Sequence, residues 1–274
     1  MNVGIPFLKG HGTENDFVVL PDVDATLDLT ESRVRALCDR RRGLGADGVL
    51  RVVRAKAVPD RPSDVDDYSW FMDYRNADGS VAEMCGNGVR LFARYLVEAG
   101  LEQAPEFVVG SRAGARPVVV HPDRTVTVHM GPVRVLGRST ATVSGREFPG
   151  VAVDVGNPHL VCVLGGGLDE LDLTIQPGHD RARFPNGVNV EFVVPVEPGR
   201  VRMRVHERGV GETRSCGTGT VAVAAAVLNG PGEVAVQVPG GLVRVTVDAD
   251  GSTLTGPAVF VARGELDPVW WQTR

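Results

Sequence analysis

The pattern of apolar and polar positions predicts many short strands and few helices. Between turns rich in Gly, Pro, Asn and Asp, apolar residues alternate with polar ones or run together over about four to eight positions. Helical spacing recurs at residues 30–41, where Thr30 is placed to cap the helix, and at residues 89–99 and 220–228. This excess of strands over helices predicts an α+β fold rather than a doubly wound sheet.

The predicted strands are spread along the whole chain. They cover residues 1–9, 17–20, 49–53, 70–74, 107–109, 117–120, 125–130, 151–155, 160–164, 187–192, 201–205, 234–238, 242–247 and 258–262. Between residues 165 and 187 the pattern allows at most a short helix, because Pro177 interrupts it. Cys38 and Cys162 fall within a helix and a strand, and both are interpreted as core packing.

The two longer helices begin with the same turn, a Cys-Gly-x-Gly sequence. The first is Cys85-Gly86-Asn87-Gly88, and the second is Cys216-Gly217-Thr218-Gly219, which begins 131 positions later. When the cysteines are superposed, Asn76 falls opposite Glu207. The chain is therefore predicted to form one unit twice.

This repeat predicts two pseudo-symmetric domains. Residues 1–132 form the first, with residues 264–274 packing back on it, and residues 133–263 form the second. The helix at residues 220–228 is apolar almost all round, which indicates that it is buried on every side. Each domain is predicted to be a curled mixed or antiparallel sheet around a long central helix, with the active site in the cleft between the domains.

Composition narrows the range of functions. The 274 residues have a net charge of −5 and no basic stripe, which argues against nucleic acid as a partner. No apolar run approaches the roughly 20 residues of a membrane helix, and residues 1–9 lack the pattern of a signal peptide. The four cysteines stand far apart, so neither a disulfide framework nor a metal site is expected. The expected location is the reducing cytoplasm.

Residues 43–48 read Gly-x-Gly-x-x-Gly, which is the spacing of a dinucleotide-binding turn. That turn follows a strand and opens a helix. Here a helix is predicted before it and a strand after it. Because the order is reversed, a dinucleotide site is rejected.

A thiol at a helix N-terminus is suited to proton transfer. The unpaired N–H groups and the helix dipole favour an anion there, which predicts a lowered thiol pKa. Two such helix starts can bind one amino-acid carboxylate, and their glycines allow close approach. A thiolate on one face of the α-carbon then removes its proton while a thiol on the other face delivers one, which inverts the centre.

No cofactor is expected for this chemistry. Pyridoxal phosphate needs a Schiff-base lysine, and Lys9 and Lys56 are the only lysines of the chain. Neither stands near a phosphate-binding turn. Fixed dipoles on the substrate carboxylate, in a closed and dry site, are expected to offset the weak acidity of the α-carbon.

Six segments resemble the successive motifs of the diaminopimelate epimerase family. They are residues 7–20, 42–50, 74–93, 155–161, 187–192 and 206–225, which together span nearly the whole chain. The resemblance implies interconversion of LL- and meso-2,6-diaminopimelate, on the bacterial route to lysine and to peptidoglycan cross-links. It also implies two pseudo-symmetric domains, two catalytic cysteines and no cofactor. Diaminopimelate is the expected small-molecule partner, and a homodimer is compatible with the chain.

The resemblance also assigns roles to residues, with Cys85 and Cys216 as the acid–base pair. His159 is open to two interpretations, assistance to proton exchange at a cysteine or a hydrogen-bonded structural imidazole. Arg208 is suited to bind the distal carboxylate bidentately and Glu207 to bind the distal ammonium. The implied substrate contacts and carboxylate cradle are Asn15, Asn76, Asn157, Asn189, Glu207, Arg208, Gly86, Asn87, Gly217 and Thr218.

Two positions depart from the family pattern. Gly48 stands where some members carry a polar side chain, so that substrate contact is not carried over. Glu14 stands where glycine is common in the family, and it places an extra charge near Asn15.

Three other functions remain open at this level. A proline racemase or hydroxyproline epimerase shares the fold and both cysteines, but its first turn reads Cys-Gly-His-Gly where this chain has Asn87. A Cys–His hydrolase with His159 as the base leaves the second cysteine unexplained. A thiol-redox or zinc-binding module lacks a fourth ligand at a suggestive spacing.

Overall fold

Segments rich in Val, Thr and Phe form the strands, and turns with Gly, Asn or Asp separate them. The computed structural model describes residues 4–67 and 69–274. Of the predicted first strand, residues 1–3 lie outside the described residues, and the strand is observed over Ile5–Gly12. The chain divides into unit 1, which contains the residues up to Val128 together with Pro257–Arg274, and unit 2, His129–Gly256. The domain limits expected at residues 132 and 263 stay a prediction.

The structure has eighteen strands, four α-helices and two short 3₁₀ turns at Ala55–Ala57 and Leu168–Glu170 in the described residues. In chain order the strands and α-helices are β1 (Ile5–Gly12), β2 (Asn15–Pro21), α1 (Glu31–Cys38), β3 (Gly48–Arg54), β4 (Trp70–Asn76), α2 (Gly86–Glu98), β5 (Glu106–Ser111), β6 (Gly114–Val120), β7 (Thr125–Gly131), β8 (Arg134–Val143), β9 (Arg146–Asp154), β10 (Pro158–Val163), β11 (Gly178–His179), β12 (Asn189–Glu197), β13 (Arg200–Glu207), β14 (Gly211–Thr213), α3 (Gly217–Leu228), β15 (Gly232–Val238), β16 (Gly241–Val247), β17 (Ser252–Pro257), β18 (Val259–Leu266) and α4 (Pro268–Gln272).

The two units share one strand order. In unit 1 the hydrogen-bonded neighbours run β18, β1, β2, β3, β4, β5, β6, β7, and the pairs β2–β3 and β4–β5 are parallel. In unit 2 they run β8, β9, β10, β12, β13, β15, β16, β17, and the pairs β10–β12 and β13–β15 are parallel. All other neighbours in these two series are antiparallel. The short strands β11 and β14 are additions to unit 2. The predicted α+β class and the repeat of one unit are confirmed.

Each unit surrounds one long helix with its strands. Helix α2 contacts β1, β2, β3 and β6, and helix α3 contacts β8, β9, β10, β12, β15 and β16. Residues 219–225 of α3 are all buried, which confirms the burial that its all-round apolar pattern predicts. None of the described helices is long and apolar enough to cross a membrane.

Cys38 and Cys162 are packing residues, as predicted. Cys38 lies in a cluster with Val34 and Leu37, and Cys162 lies in a cluster with Phe148 and Phe192. Burial raises the pKa of each thiol to about 12. Neither is therefore available as a thiolate near neutral pH.

Some elements differ from those predicted. Both long helices begin three residues earlier than predicted, at Gly86 and Gly217, because the glycines join the first helical turn in spite of their low propensity. Strand β8 was not predicted, and its first half is exposed and lacks a buried alternation. Helix α4 was also not predicted; Asp267 caps it, and its Trp271 packs into the cluster that contains Val34. The reversed order at residues 43–48 is confirmed, since α1 precedes them and β3 follows.

Candidate active site

The first cysteine turn places Cys85 at the N-cap of α2. Its backbone is extended (φ −142°, ψ 117°), and its carbonyl accepts the first helical hydrogen bond from Val89, with an N···O distance of 2.9 Å. The next N–H groups, those of Gly86 and Asn87, belong to the first turn, where no helical acceptor exists. Cys85 is half-buried. The turn therefore presents a thiol next to N–H groups suited to an anion.

Asn15 holds the thiol of Cys85. Its Oδ1 accepts from Sγ of Cys85 at 3.4 Å and from Nδ2 of Asn87 at 3.2 Å. Asn15 begins β2, directly after Thr13 and Glu14, which both have positive φ angles of 49° and 62°. Such angles favour glycine, which explains in physical terms why glycine suits the position of Glu14. The Glu14 side chain is exposed.

Asp47 fixes the orientation of Asn15, a role that was not predicted for it. Its Oδ2 accepts from Nδ2 of Asn15 at 2.8 Å. Arg40 donates to both Asp16 and Asp47 at 2.8 Å, and Lys9 donates to Asp16 at 2.5 Å. The only local feature of the sequence that points to Asp47 is its place in the turn before β3. Because Lys9 is held in this ion-pair network, its ammonium group serves unit 1 structurally.

Arg90 adds a buried cation near the first turn. Its side chain is fully buried, and it donates to Oγ1 of Thr13 at 3.1 Å and to the carbonyl of Pro257 at 3.2 Å. Burial lowers the pKa of Arg90 to about 10, and the charge of Cys85 opposes this shift. Gly12 leaves space for the guanidinium of Arg90 and for the first turn of α2. A Cβ at this position would lie 2.9 Å from Nη2 of Arg90 and 2.8 Å from the carbonyl oxygen of Asn87.

The second cysteine turn places Cys216 at the N-cap of α3, with nearly the same backbone angles (φ −122°, ψ 114°). Cys216 is only 6% exposed. Its sulfur lies 3.6 Å from Oγ1 of Thr218, and the carboxyl group of Glu207 is near enough to interact with it electrostatically. Burial, together with the nearby carboxyl groups of Glu207 and Glu191, raises the pKa of Cys216 well above its usual range.

This result corrects one expectation. The helix N-terminus was expected to lower the pKa of both thiols. At Cys216 the loss of solvent and the two nearby carboxyl groups raise the pKa instead. These surroundings favour the thiol form of Cys216.

A chain of hydrogen bonds leads from Cys216 into unit 2. Asn157 donates from Nδ2 to Oγ1 of Thr218 at 3.4 Å, and its Oδ1 lies 2.9 Å from Nε2 of His159. Nδ1 of His159 lies 2.7 Å from Oε1 of Glu191. His159 thus reaches the thiol through Asn157 and Thr218. Glu191 was not predicted as a site residue. The feature that could have indicated it is a single carboxylate within an otherwise apolar strand.

Four of the implied substrate contacts have other described partners. Asn76, at the end of β4, donates to Oγ of Ser80 at 3.0 Å. Asn189 donates to the carbonyl of Pro158 at 3.0 Å and accepts from the N–H of Arg208 at 2.9 Å. The guanidinium of Arg208, an exposed residue, donates to the carbonyl of Asn186 at 3.3 Å. Glu207 accepts from the hydroxyl of Thr213. Burial raises the pKa of Glu207, and the hydrogen bond from Thr213 partly offsets that effect.

No metal site appears in this arrangement. Among residues 4–67 and 69–274, no cluster of three or more His, Cys, Asp or Glu side chains could hold a metal ion. In unit 1 the turn presents a thiol, N–H groups of the first helical turn and an amide. In unit 2 the turn lies beside a thiol, a hydroxyl, an amide and two carboxyl groups. Both sets are suited to proton transfer next to a bound carboxylate.

The sequence profile described as diaminopimelate epimerase matches residues 7–136 and 151–261. The chain belongs to the diaminopimelate epimerase family. Two curated relatives of this name are each 60% identical to the chain, one from Rhodococcus erythropolis and one from Mycolicibacterium smegmatis. Each alignment covers 97% of this chain and 98% of the relative.

Solved structures of other proteins share the fold of this family member. A phenazine biosynthesis protein from Bacillus anthracis superposes with a TM-score of 0.73 at 17% identity, covering 97% of this chain and 99% of that one. A hydroxyproline epimerase from Agrobacterium vitis superposes with a TM-score of 0.66 at 18% identity, covering 97% of this chain and 94% of that one. At these identities the likeness concerns the fold. The family match does not favour the proline racemase alternative.

Proposed function

We propose that this protein interconverts LL- and meso-2,6-diaminopimelate without an added cofactor, as a step toward lysine and peptidoglycan precursors. The observation that carries the proposal is the repeated cysteine N-cap. Cys85 and Cys216 begin the long helix of their units, at the same place in one shared strand order. Duplication of a thiol at two anion-binding helix starts is what a two-base inversion requires.

In the proposed reaction the two sulfurs act on opposite faces of one α-carbon. A thiolate at one cysteine takes the α-proton, and the electrons of the C–H bond remain on the substrate. The thiol of the other cysteine then donates its proton to the opposite face of the same carbon. Each turnover exchanges the protonation states of Cys85 and Cys216, so the reverse reaction starts from the product of the forward one.

The helix starts supply the stabilisation that this step needs. N–H groups of Gly86 and Asn87 in unit 1, and of Gly217 and Thr218 in unit 2, are proposed to bind the carboxylate next to the reacting carbon. Fixed dipoles of this kind stabilise charge that develops in the transition state. They cost little reorganisation, because the helices already hold them in place.

The remaining polar residues are proposed to recognise the charged groups of the substrate. Arg208 binds the distal carboxylate with its planar fork. Glu207, which lies beside the thiol of Cys216, binds an ammonium group, and the amides of Asn15, Asn76, Asn157 and Asn189 complete these contacts. His159 acts through Asn157 and Thr218 rather than as a direct base.

The decisive experiment follows solvent hydrogen. The purified protein is incubated with LL-diaminopimelate in deuterated water, without added cofactor, and the product is analysed by chiral chromatography and mass spectrometry. We expect meso product with one deuterium at the inverted α-carbon. L-Proline and trans-4-hydroxy-L-proline serve as control substrates. Inversion of either one, with none of diaminopimelate, would overturn the proposal.

Location and assembly are part of the proposal. A cytoplasmic enzyme is favoured, since a two-thiol mechanism needs both cysteines reduced. A homodimer is proposed as the assembly. Light scattering on a size-exclusion column tests the assembly, and fractionation of cells tests the location.

A further inference from the structure

Glu191 is a buried carboxyl group that the proposed mechanism does not use. It lies on β12 with no exposed surface, and Oε1 is 2.7 Å from Nδ1 of His159. A Cβ added at Gly219 would lie 2.8 Å from the same oxygen and 3.3 Å from Sγ of Cys216. The carboxyl group is therefore held between the imidazole and the first turn of α3. Its Oε2 has no hydrogen-bond partner among the described residues.

The hydrogen bonds around Asn157 determine where the proton of His159 must be. The Nδ2 group of Asn157 donates to Thr218, so its Oδ1 faces Nε2 of His159 as an acceptor. An acceptor requires a donor, so Nε2 must carry a proton. On the other side of the ring, Nδ1 and Oε1 of Glu191 can form their 2.7 Å hydrogen bond only if one proton lies between them.

Burial favours the neutral form of this pair. An ionised carboxylate with one unpartnered oxygen is costly away from water. Burial also raises the pKa of Glu191, and the charge of His159 only partly offsets this. Glu191 thus provides the proton for the shared hydrogen bond. Other ionisable groups near it are Glu207 on β13, Cys216 at the start of α3 and Cys162 on β10.

We propose that Glu191 is a positioning residue, whose proton shared with His159 sets the direction of every hydrogen bond from His159 to Cys216. With that proton present, His159 donates to Asn157, and Asn157 donates to Thr218. The hydroxyl proton of Thr218 is then left to point at Sγ of Cys216, 3.6 Å away. A donor at this place stabilises the thiolate that Cys216 forms during turnover. This consequence rests on the proposed function.

Loss of the shared proton would reverse the direction of each hydrogen bond between His159 and Thr218. With a bare carboxylate at Glu191, the ring proton moves to Nδ1 and Nε2 becomes an acceptor. The amide of Asn157 then turns to donate to Nε2, and Thr218 donates its hydroxyl proton to Asn157. Cys216 loses the side-chain donor that favours its thiolate. Glu191 therefore acts on Cys216 through three intervening side chains.

The first test reads the proton directly in the wild-type protein. The full chain is labelled with ¹⁵N-histidine, and long-range ¹H–¹⁵N correlation spectra near neutral pH show which ring nitrogen of His159 is protonated. A His159→Gln variant assigns the signals. We expect a proton on Nε2. A neutral ring protonated only on Nδ1 would overturn the proposal, and this arm does not depend on enzymatic activity.

The second test compares Glu191→Gln with Glu191→Leu. The glutamine side-chain amide can still donate to Nδ1, so the Nε2-protonated ring and a kcat within about tenfold of wild type are expected. Leucine cannot donate, and kcat should fall on the order of 10–100-fold with little change in KM, the range typical of groups that orient functional residues. Cys162→Ala, a buried change on the neighbouring β10, is the control and should keep kcat.

The outcomes separate the two proposals. Wild-type kcat in Glu191→Leu, or a glutamine variant as impaired as the leucine variant, would reject the positioning role. A wild-type protein that inverts no diaminopimelate would reject the proposed function, while the NMR spectra would still decide the shared proton. If Glu191→Leu does not fold, the wild-type spectra and Glu191→Gln decide the matter.

Discussion

Cys85 and Cys216 begin equivalent helices in two units with one strand order, yet their surroundings differ. Cys85 is half-buried and donates to the amide oxygen of Asn15. Cys216 is buried, and its sulfur lies beside the hydroxyl of Thr218 and interacts electrostatically with the carboxyl group of Glu207. The helices differ as well, since α2 buries the cation of Arg90 and α3 contains only apolar and small residues after its first turn.

The repeated backbone therefore sets the position of each thiol, while the surrounding side chains set how easily it loses its proton. Behind Asn15 lies a partly exposed network of ion pairs that includes Asp47 and Arg40. Behind Asn157 lies a buried imidazole–carboxyl pair. A two-base inversion needs one thiolate and one thiol at the start, and two unlike surroundings can favour unlike states.

Removing either sulfur should lower activity the most. Cys85→Ala and Cys216→Ala should each lower the rate of inversion by about 10²–10⁴-fold, the usual contribution of an acid–base group. Chiral chromatography under reducing conditions measures this. Cys38→Ala and Cys162→Ala are matched controls, because both thiols are buried packing residues, and both variants should keep their turnover. Near-full activity in either of the first two variants would rule out the two-base reaction.

A matched pair of glycines tests whether the turns differ in packing. A Cβ at Gly219 would lie 2.8 Å from Oε1 of Glu191 and 3.2 Å from Cβ of Cys216, whereas one at Gly88 would meet a methyl group of Leu50 at 3.2 Å. Gly219→Ala should lower the free energy of unfolding by about 3 kcal/mol, the upper end of the usual overpacking range. Gly88→Ala should change it by less than about 1 kcal/mol, because alanine favours the helix. Urea unfolding compares them, and equal losses would contradict this picture.

Arg208 tests recognition of the end of the substrate that does not react. Arg208→Lys keeps the charge but loses the bidentate fork. It should weaken diaminopimelate binding by roughly 1–3 kcal/mol, the range for charged hydrogen bonds and unsatisfied groups. Calorimetric titration measures the affinity, with the exposed Arg244→Lys as the control. Unchanged affinity and turnover would remove Arg208 from the site.

The smallest change concerns the pH dependence of folding stability, which should have opposite signs for one carboxyl group in each unit. Burial by itself would raise the pKa of Asp16, but hydrogen bonds and charges of Arg40 and Lys9 lower it to about 2. Asp16 therefore adds stability above its unfolded pKa of about 4. This contribution, about 1 kcal/mol once screening by solvent is included, is lost as the pH falls toward 2. The raised pKa of Glu207 acts in the opposite direction, since its contribution is present below about 4.5 and is lost as the pH rises.

Urea unfolding between about pH 2 and about 6 measures both contributions. Asp16→Asn should flatten the loss of stability in acid. Glu207→Gln should remove the loss that accompanies rising pH. Asp24→Asn, an exposed change in unit 1, is the control. Slopes of the same sign for the first two variants would show that the units do not differ in this way.

Sequence patterns were sufficient for features that depend on neighbouring residues. The cap at Thr30, the two cysteine turns and the burial of α3 are local, and the structure confirms them. Helix α4 was missed because its five residues are too few for a periodic pattern. Strand β8 was missed because its first residues are exposed.

The partners of the thiols could not be predicted, because they depend on long-range register. Glu191 meets His159 only because β10 and β12 pair in parallel, with His159 opposite Asn189. Asp47 meets Asn15 because β2 and β3 pair in parallel. The raised pKa of Cys216 has the same origin, since it depends on carboxyl groups brought in from β12 and β13. A local pattern contains none of these pairings.

The place of β18 has a consequence for the order of events during synthesis. Strand β1 pairs antiparallel with β18, with Ile5 opposite Leu266. Trp271 of α4 belongs to the same core cluster as Val18. Unit 2, by contrast, is continuous from His129 to Gly256. Because domains tend to fold as units while the ribosome elongates the chain, we expect unit 2 to reach its native state first. Until β18 is translated, the edge of β1 that will pair with it stays open, and an open strand edge is at risk of mispairing.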